Sequence, residues 1–195
     1  PFNYGLIPEM IYDDGSMYSP EVLDLTEADV LAKFFQGVSK VAAVSLAIGR
    51  PNAASVSHMI INGYKNVLAI ACGIVEGRGL GDNARAALVT RGLAEMTRLC
   101  LALGGRAETM MGLSGLGDVT LSCNAVQSRN FSFGMALGVG RALTDLLTDG
   151  VTVEGFHTSE AISRLARTSG VEAPVCAAID GILNNFADID ATTSS

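Results

Sequence analysis

Gly63-Tyr64-Lys65-Asn66-Val67-Leu68-Ala69-Ile70-Ala71 is the stretch from which the rest of the chain can be read. Val56, Ile60, Gly63, Val67, Ile70 and Ile74 recur in steps of three and four, the signature of one helical face. The spacing predicts a long helix from near Asn52 until Gly77, Gly79 and Gly81 break it, so Lys65 and Asn66 sit inside a helix. The apolar run from Ile60 to Val75 is interrupted by Asn62, Lys65 and Asn66. It falls short of the roughly 20 clean residues of a membrane span, and the expectation is a buried helix with no membrane span.

Upstream, Asp13-Asp14-Gly15-Ser16 suits a hairpin turn between mixed apolar residues. Thr26-Glu27-Ala28-Asp29 resembles a capping box, after which Leu31, Phe34 or Phe35, Val38, Val41 and Ser45 share a helical stripe ending near Gly49. Downstream, Asp82 is the expected N-cap of a third helix with Val89, Leu93, Met96, Cys100 and Leu103 on its apolar face. Arg91, Glu95 and Arg98 read as its wet face, and Gly104-Gly105 as its stop. The glycine-rich segment from Ala107 to Gly140 carries a helix from Asn130 to Leu137. Thr158 is expected to cap a helix reaching Thr168 before Gly170, and Pro174 to open a last one ending near Phe186. No segment after Leu25 demands a strand. The fold class is therefore mainly α, a helical bundle with a small mixed or helical N-terminal segment: residues 1–50, a helical body over 51–187, and a frayed polar tail over 188–195.

With 195 residues, 49% of them hydrophobic, the chain can bury one good core. A formal net charge of -7 excludes general nucleic-acid binding through a basic patch and gives no attraction to anionic lipid. Cys72, Cys100, Cys123 and Cys176 form no C-x-x-C pair and have no histidine at ligand spacing, so no metal site is expected. They read as reduced, buried thiols of a cytoplasmic protein. Pro1 reads as an internal position, which suggests a fragment, a fusion or an artificial sequence.

Lys65-Asn66, GLSGLGDVTLSC from Gly112, Gln127-Ser128-Arg129-Asn130 and Val153-Glu154-Gly155 occur in that order, along with GLGDNARAALVTRGLAEMTRL and SRNFSFGMALG. From about Lys65 to Phe186 these resemble the substrate domain of NAD(P)-dependent glycerol-3-phosphate dehydrogenase, whose helix reads roughly G-A-L-K-N-V-I-A-I-A-x-G. The resemblance implies a bundle of the 6-phosphogluconate-dehydrogenase C-terminal type and interconversion of dihydroxyacetone phosphate and glycerol 3-phosphate. Such a reaction exchanges a proton at the carbonyl oxygen, which an amine in a partly dry pocket can supply. Lys65 is the implied acid/base; alone it reads as a lysine snorkelling from an apolar helix. Asp118 is implied to orient it, though by itself it reads as a turn or cap residue. Asn66, Ser122, Ser128, Arg129 and Asn130 are implied substrate contacts. Arg129 is the best phosphate ligand on chemical grounds because its planar fork holds two oxygens at once. Arg129 and Glu154 are also implied to lie near the dinucleotide. NAD or NADP is the implied cofactor, yet Gly77-Arg78-Gly79-Leu80-Gly81 and Gly138-Val139-Gly140 follow no strand and are not a dinucleotide fingerprint. The chain is expected not to hold the cofactor by itself, and to find its partner in a nucleotide-binding domain or in a second copy as a homodimer.

The text PFNYGLIPEMIYDDGSMYSPEVLDLTE, followed by IGRPNAASVSHMIINGYKNVLA, resembles the acidic ribosomal stalk-anchoring protein of archaea and eukaryotes over about Pro1 to Ala69. The two resemblances overlap on Tyr64 to Ala69, and a chimeric sequence is the expectation. It carries an alternative function, a non-catalytic interaction module that binds a stalk-type helical partner.

Overall fold

The computed structural model describes residues 9–50, 52–148, 153–189 and 191. It comprises two compact units, Pro1–Val44 and Ser45–Ser195.

In the first unit, β1 (Ile11–Asp13) and β2 (Ser16–Tyr18) pair antiparallel, with Ile11 opposite Tyr18. Asp14 at φ 40 and Gly15 at φ 84 form the turn, a left-handed pair that aspartate and glycine tolerate. A 3-10 turn over Pro20–Asp24 leads to α1 (Glu27–Ala47). The capping box is present: the Thr26 amide donates to Asp29 Oδ2 at 2.9 Å, and the Asp29 amide donates to Thr26 Oγ1 at 3.2 Å. The Thr26 hydroxyl, with its amide, holds the Asp29 carboxyl below its usual range. Most of the apolar stripe, Leu31, Phe34, Val38 and Val41, is exposed, while Ser45 is buried.

The second unit is built around α2 (Val56–Gly77). Tyr64, Val67, Leu68, Ala69, Ile70 and Cys72 are fully buried, so α2 is enclosed on nearly every side rather than along one stripe. Around it come α3 (Gly81–Ala102), α4 (Ala107–Met111), a π-helical turn at Leu113–Gly117 and α5 (Asp118–Asn124). Next are α6 (Arg129–Gly138), α7 (Leu143–Thr148), α8 (Glu154–Thr168) and α9 (Pro174–Asn184). Among the described residues no strand follows β2. Glycines decide how closely α2 and α6 approach. A Cβ on Gly73 would stand 2.1 Å from the Phe131 carbonyl oxygen, and one on Gly134 2.0 Å from that of Ile70. Gly77 and Gly138 repeat the arrangement one turn on, so the backbones meet directly and dispersion contacts run the length of the seam.

Several helix boundaries differ from the sequence expectation, each for a local reason. Asn52 caps a turn, its Oδ1 accepting from the Ala54 and Ser55 amides at 3.0 Å, and α2 starts only at Val56. Leu80 rather than Asp82 is the N-cap of α3; Asp82 lies in the first turn and pairs with Arg85. Val153 precedes α8, which leaves Thr158 inside the helix with its hydroxyl on the Glu154 carbonyl at 2.9 Å. α9 stops at Asn184, and Phe186 has φ 53. In the tail, residues 190 and 192–195 lie outside the described residues.

Glu95 is the largest departure. Expected on the wet face of α3, it is 1% exposed. The Tyr64 hydroxyl donates to it, and its two oxygens take the Val175 and Cys176 amides at 3.0 and 3.4 Å. Pro174 has no amide to offer, so a carboxylate from α3 satisfies the next two donors and meets the positive end of α9. Burial, then Glu95, pushes the Tyr64 hydroxyl and the Cys176 thiol up, the latter to about 12.

Candidate functional site

Lys65 leaves α2 toward α5, and its Nζ donates to Asp118 Oδ2 at 2.5 Å. The side chains are 21% and 37% exposed, so the pair is screened on one side and open on the other. Asp118 owes its place to the preceding π-helical turn, in which a Cβ on Gly115 would meet the Met110 carbonyl oxygen at 2.1 Å. The glycines of Leu113-Ser114-Gly115-Leu116-Gly117 thus bring the start of α5 against α2.

Beside this pair, the next residue of α2 enters a directional ring of hydrogen bonds. The Gly155 amide donates to Asn130 Oδ1, Asn130 Nδ2 donates to Asn66 Oδ1, and Asn66 Nδ2 donates to Glu154 Oε2, each at 3.0 Å. The ring starts and ends on neighbouring residues of α8, and a backbone N–H at its head fixes the sense of both carboxamides. It joins the start of α6 and the start of α8 to the middle of α2. Gly155 makes this possible, since a Cβ there would lie 2.8 Å from the Asn66 carbonyl oxygen and 2.9 Å from Asn130 Oδ1.

Arg129 opens α6 beside the ring. Its Nη2 stands 3.6 Å from Glu154 Oε1, and both side chains are mostly exposed, at 65% and 62%. Ser128 is the N-cap of α6, its Oγ accepting from the Phe131 amide at 3.4 Å. Ser122 lies half-buried one turn beyond Asp118 on α5.

The structure therefore brings Lys65 to Asp118, and Asn66 to Asn130, Glu154 and Arg129; no bond ties Ser122 to either group among the described residues. The first group offers a half-screened ammonium aligned by a carboxylate, a candidate proton donor, and the second offers two fixed carboxamides and an exposed guanidinium, donors of the kind an oxygen-rich anion takes. Sequence reasoning missed the mutual bonding of Asn66 and Asn130 and the role of Gly155. The Val153-Glu154-Gly155 signal held it, as a small residue directly after an acid at a helix start. Among the described residues no group of three or more histidine, cysteine, aspartate or glutamate side chains could hold a metal ion. All four cysteines are free and buried; the neighbouring Cys72 thiol, by hydrogen bonding, and then burial push the Cys123 thiol up.

Residues 54–194 match the family of the NAD-dependent glycerol-3-phosphate dehydrogenase C-terminus. Glycerol-3-phosphate dehydrogenase of the NAD(P)+ type from Rhodospirillum rubrum is 54% identical over 160 residues, covering 78% of this chain and 46% of the relative. That from Parvibaculum lavamentivorans is 56% identical over 127 residues, covering 65% of this chain and 38% of the relative. The chain thus spans less than half the length of these two curated relatives. The crystal structure of glycerol-3-phosphate dehydrogenase from Coxiella burnetii superposes with a TM-score of 0.69 at 39% identity, over 74% of this chain and 45% of the other. The enzyme from Saccharomyces cerevisiae gives 0.63 at 26% identity, over 72% and 42%. A helical body that brings Lys65 to Asp118 and Asn66 to Asn130, Glu154 and Arg129, and that matches this family over most of its length, belongs to the C-terminal family of NAD-dependent glycerol-3-phosphate dehydrogenase.

Proposed function

We propose that the second unit is the substrate-binding half of an enzyme that interconverts dihydroxyacetone phosphate and glycerol 3-phosphate. The observation that carries this is the Lys65–Asp118 pair beside the Asn66–Asn130–Glu154 ring and Arg129. In this reading Arg129 takes two phosphate oxygens, Asn130 offers its remaining carboxamide proton, and Asn66 Nδ2 turns a proton from Glu154 to the phosphate. Lys65 Nζ then faces the substrate's C2 oxygen, giving it a proton in reduction and taking one back in oxidation. Asp118 aims the ammonium and keeps its position when the substrate is absent. Ser122 and Ser128 are neighbours of the bound substrate with hydroxyl protons to donate.

NAD or NADP is the cofactor of the full reaction in this reading, and Arg129 and Glu154 are the residues nearest to it. Among the described residues there is one two-stranded hairpin and no strand-helix-strand unit of the kind that cradles a dinucleotide, which supports a reading in which the cofactor is held largely elsewhere. We read this chain as the substrate half of the reaction, with turnover needing a nucleotide-binding domain or a second copy. Leu113, Leu121 and Val126 stand at least 61% exposed around the Asp118 and Arg129 elements, which supports a further domain or a second copy covering this face. Four free cysteines suit a reducing, cytoplasmic setting.

Calorimetric titration with glycerol 3-phosphate tests the reading. Saturable one-to-one binding is expected from the wild type and a loss of at least about tenfold from Arg129→Ala, of the order of a charged hydrogen-bonded contact. Equal affinities for wild type and variant would refute the assignment of Arg129. A rate with NADPH and dihydroxyacetone phosphate that vanishes in Lys65→Ala would show instead that this chain needs no further domain.

The second reading, an interaction module in the first unit related to the ribosomal stalk protein, is favoured by one observation: α1 exposes Leu31, Phe34, Val38 and Val41 along its length. Stoichiometric binding of small acidic stalk proteins is its expected result, and no binding removes it.

A further inference from the structure

We infer that Glu154 is a built-in competitor for the anion site, its carboxylate standing where it engages donors that a substrate phosphate would use. The inference rests on the phosphate role proposed for Arg129 and Asn66.

Glu154 Oε2 accepts from Asn66 Nδ2 at 3.0 Å, while Oε1 lies 3.6 Å from Arg129 Nη2. One carboxylate thus spans a carboxamide donor and a guanidinium, the pairing that two oxygens of a phosphate monoester would adopt. Nothing else at the ring is anionic: its other members are Asn66, Asn130 and the Gly155 amide. Nor is Glu154 free to drift away. It is the first residue of α8, where the helix dipole favours a negative charge, and Gly155 pins that helix start to Asn130. The backbone is fixed and the side chain is 62% exposed, so the carboxylate can swing into solvent without disturbing the fold.

Binding a phosphate therefore has two electrostatic costs beyond desolvation. The Arg129–Glu154 attraction is lost, and a dianion settles beside the helix start that carries the displaced carboxylate. Both are modest because the pair is exposed and screened. Glu154 accordingly sets how weakly the site holds a phosphate.

Glu154→Gln is the discriminating change, since glutamine keeps an oxygen to accept from Asn66 and removes only the charge. Glu160→Gln, on the same helix and exposed, removes an equal charge away from the ring and controls for net charge. Inorganic phosphate and glycerol 3-phosphate are each titrated into the 195-residue chain, with amide shifts followed by NMR. Glu154→Gln should bind both about two- to fivefold more tightly than wild type, the range for an exposed ion pair. Glu160→Gln should match wild type, and the gain should disappear in an Arg129→Ala background. Tighter binding by Glu154→Gln where wild type binds too weakly to measure also supports the inference. Wild-type binding that Glu154→Gln leaves unchanged or weakens overturns the inference while keeping the substrate site. No binding by wild type and Glu154→Gln overturns both.

Discussion

α1 and α2 are helices of 21 and 22 residues with nearly the same mean hydropathy, and either is long and apolar enough to cross a bilayer by length and composition. Yet the most apolar stretch of α1 is 6% buried and that of α2 is 67% buried. What separates them is shape. α2 carries Gly63, Gly73 and Gly77, and its neighbours answer with Gly92, Gly134, Gly138 and Gly155, so that α6 and α8 close on its backbone while α3 closes on the Leu68 side chain. The single glycine inside α1, Gly37, has nothing within 4 Å of the place its Cβ would take. Apolar content makes a helix willing to be buried; small residues at matched positions decide what buries it.

Filling the seam is the hardest blow to this contrast. Gly134→Ala drives a methyl into the Ile70 carbonyl and should cost about 3 kcal/mol or more, lowering the unfolding midpoint of the second unit by roughly 10 °C. Gly37→Ala in α1 should be neutral or slightly stabilising by calorimetry, because it trades glycine for a better helix former.

Glu95→Ala comes next. It strands the Tyr64 hydroxyl and the Val175 and Cys176 amides in the core, at a cost of about 2–4 kcal/mol in urea unfolding. Glu95→Gln should lose less, since it keeps an acceptor.

Alkali should then separate the units. Folding raises the Cys176 thiol from 9.0 to about 12, and Cys123 and Tyr64 also shift upward. Their neutral forms belong to the folded state. Stability from these groups is full below pH 9.0 and falls as the pH climbs toward about 12, because the unfolded chain releases its protons first. Circular dichroism between those limits should show the second unit losing stability steeply. Cys72, Cys100, Cys123 and Cys176, all buried, should resist thiol reagents in the native protein at neutral pH.

The smallest effect is expected on α1 itself. Phe34→Ser should change stability by no more than about 0.5 kcal/mol, the usual range for an exposed site. A loss of several kcal/mol would mean that this face is covered in solution and that the contrast with α2 is false.

Local chemistry was the legible part of this molecule. The Asp14-Gly15 turn, the Thr26–Asp29 box and the glycine stops at Gly49, Gly104 and Gly170 all follow from backbone preferences that a few neighbouring residues settle. Lys65, Asn66, Asp118, Arg129, Asn130 and Glu154 were named from family resemblance, and the structure gathers them into the Lys65–Asp118 pair and the ring with Arg129 beside it. Glu95 was not legible as a core residue because Arg91 and Arg98 flank it, although it shares a helical stripe with Gly92, Met96, Leu99 and Cys100. A charge on such a stripe needs partners from elsewhere, and Tyr64 and the start of α9 are distant in sequence. Gly155 escaped for the same reason: its importance lies in what it touches on α2 and α6.

The account stands or falls on whether Lys65 and the Asn66–Arg129 donors form one site. NMR of the lysine side-chain ammonium during a glycerol 3-phosphate titration measures this directly. A Lys65 signal that shifts saturably, with the same dissociation constant as the Asn66 and Asn130 side-chain amides, is the predicted result. Shifts at Asn130 that leave Lys65 unmoved, or no shifts at either, would contradict it.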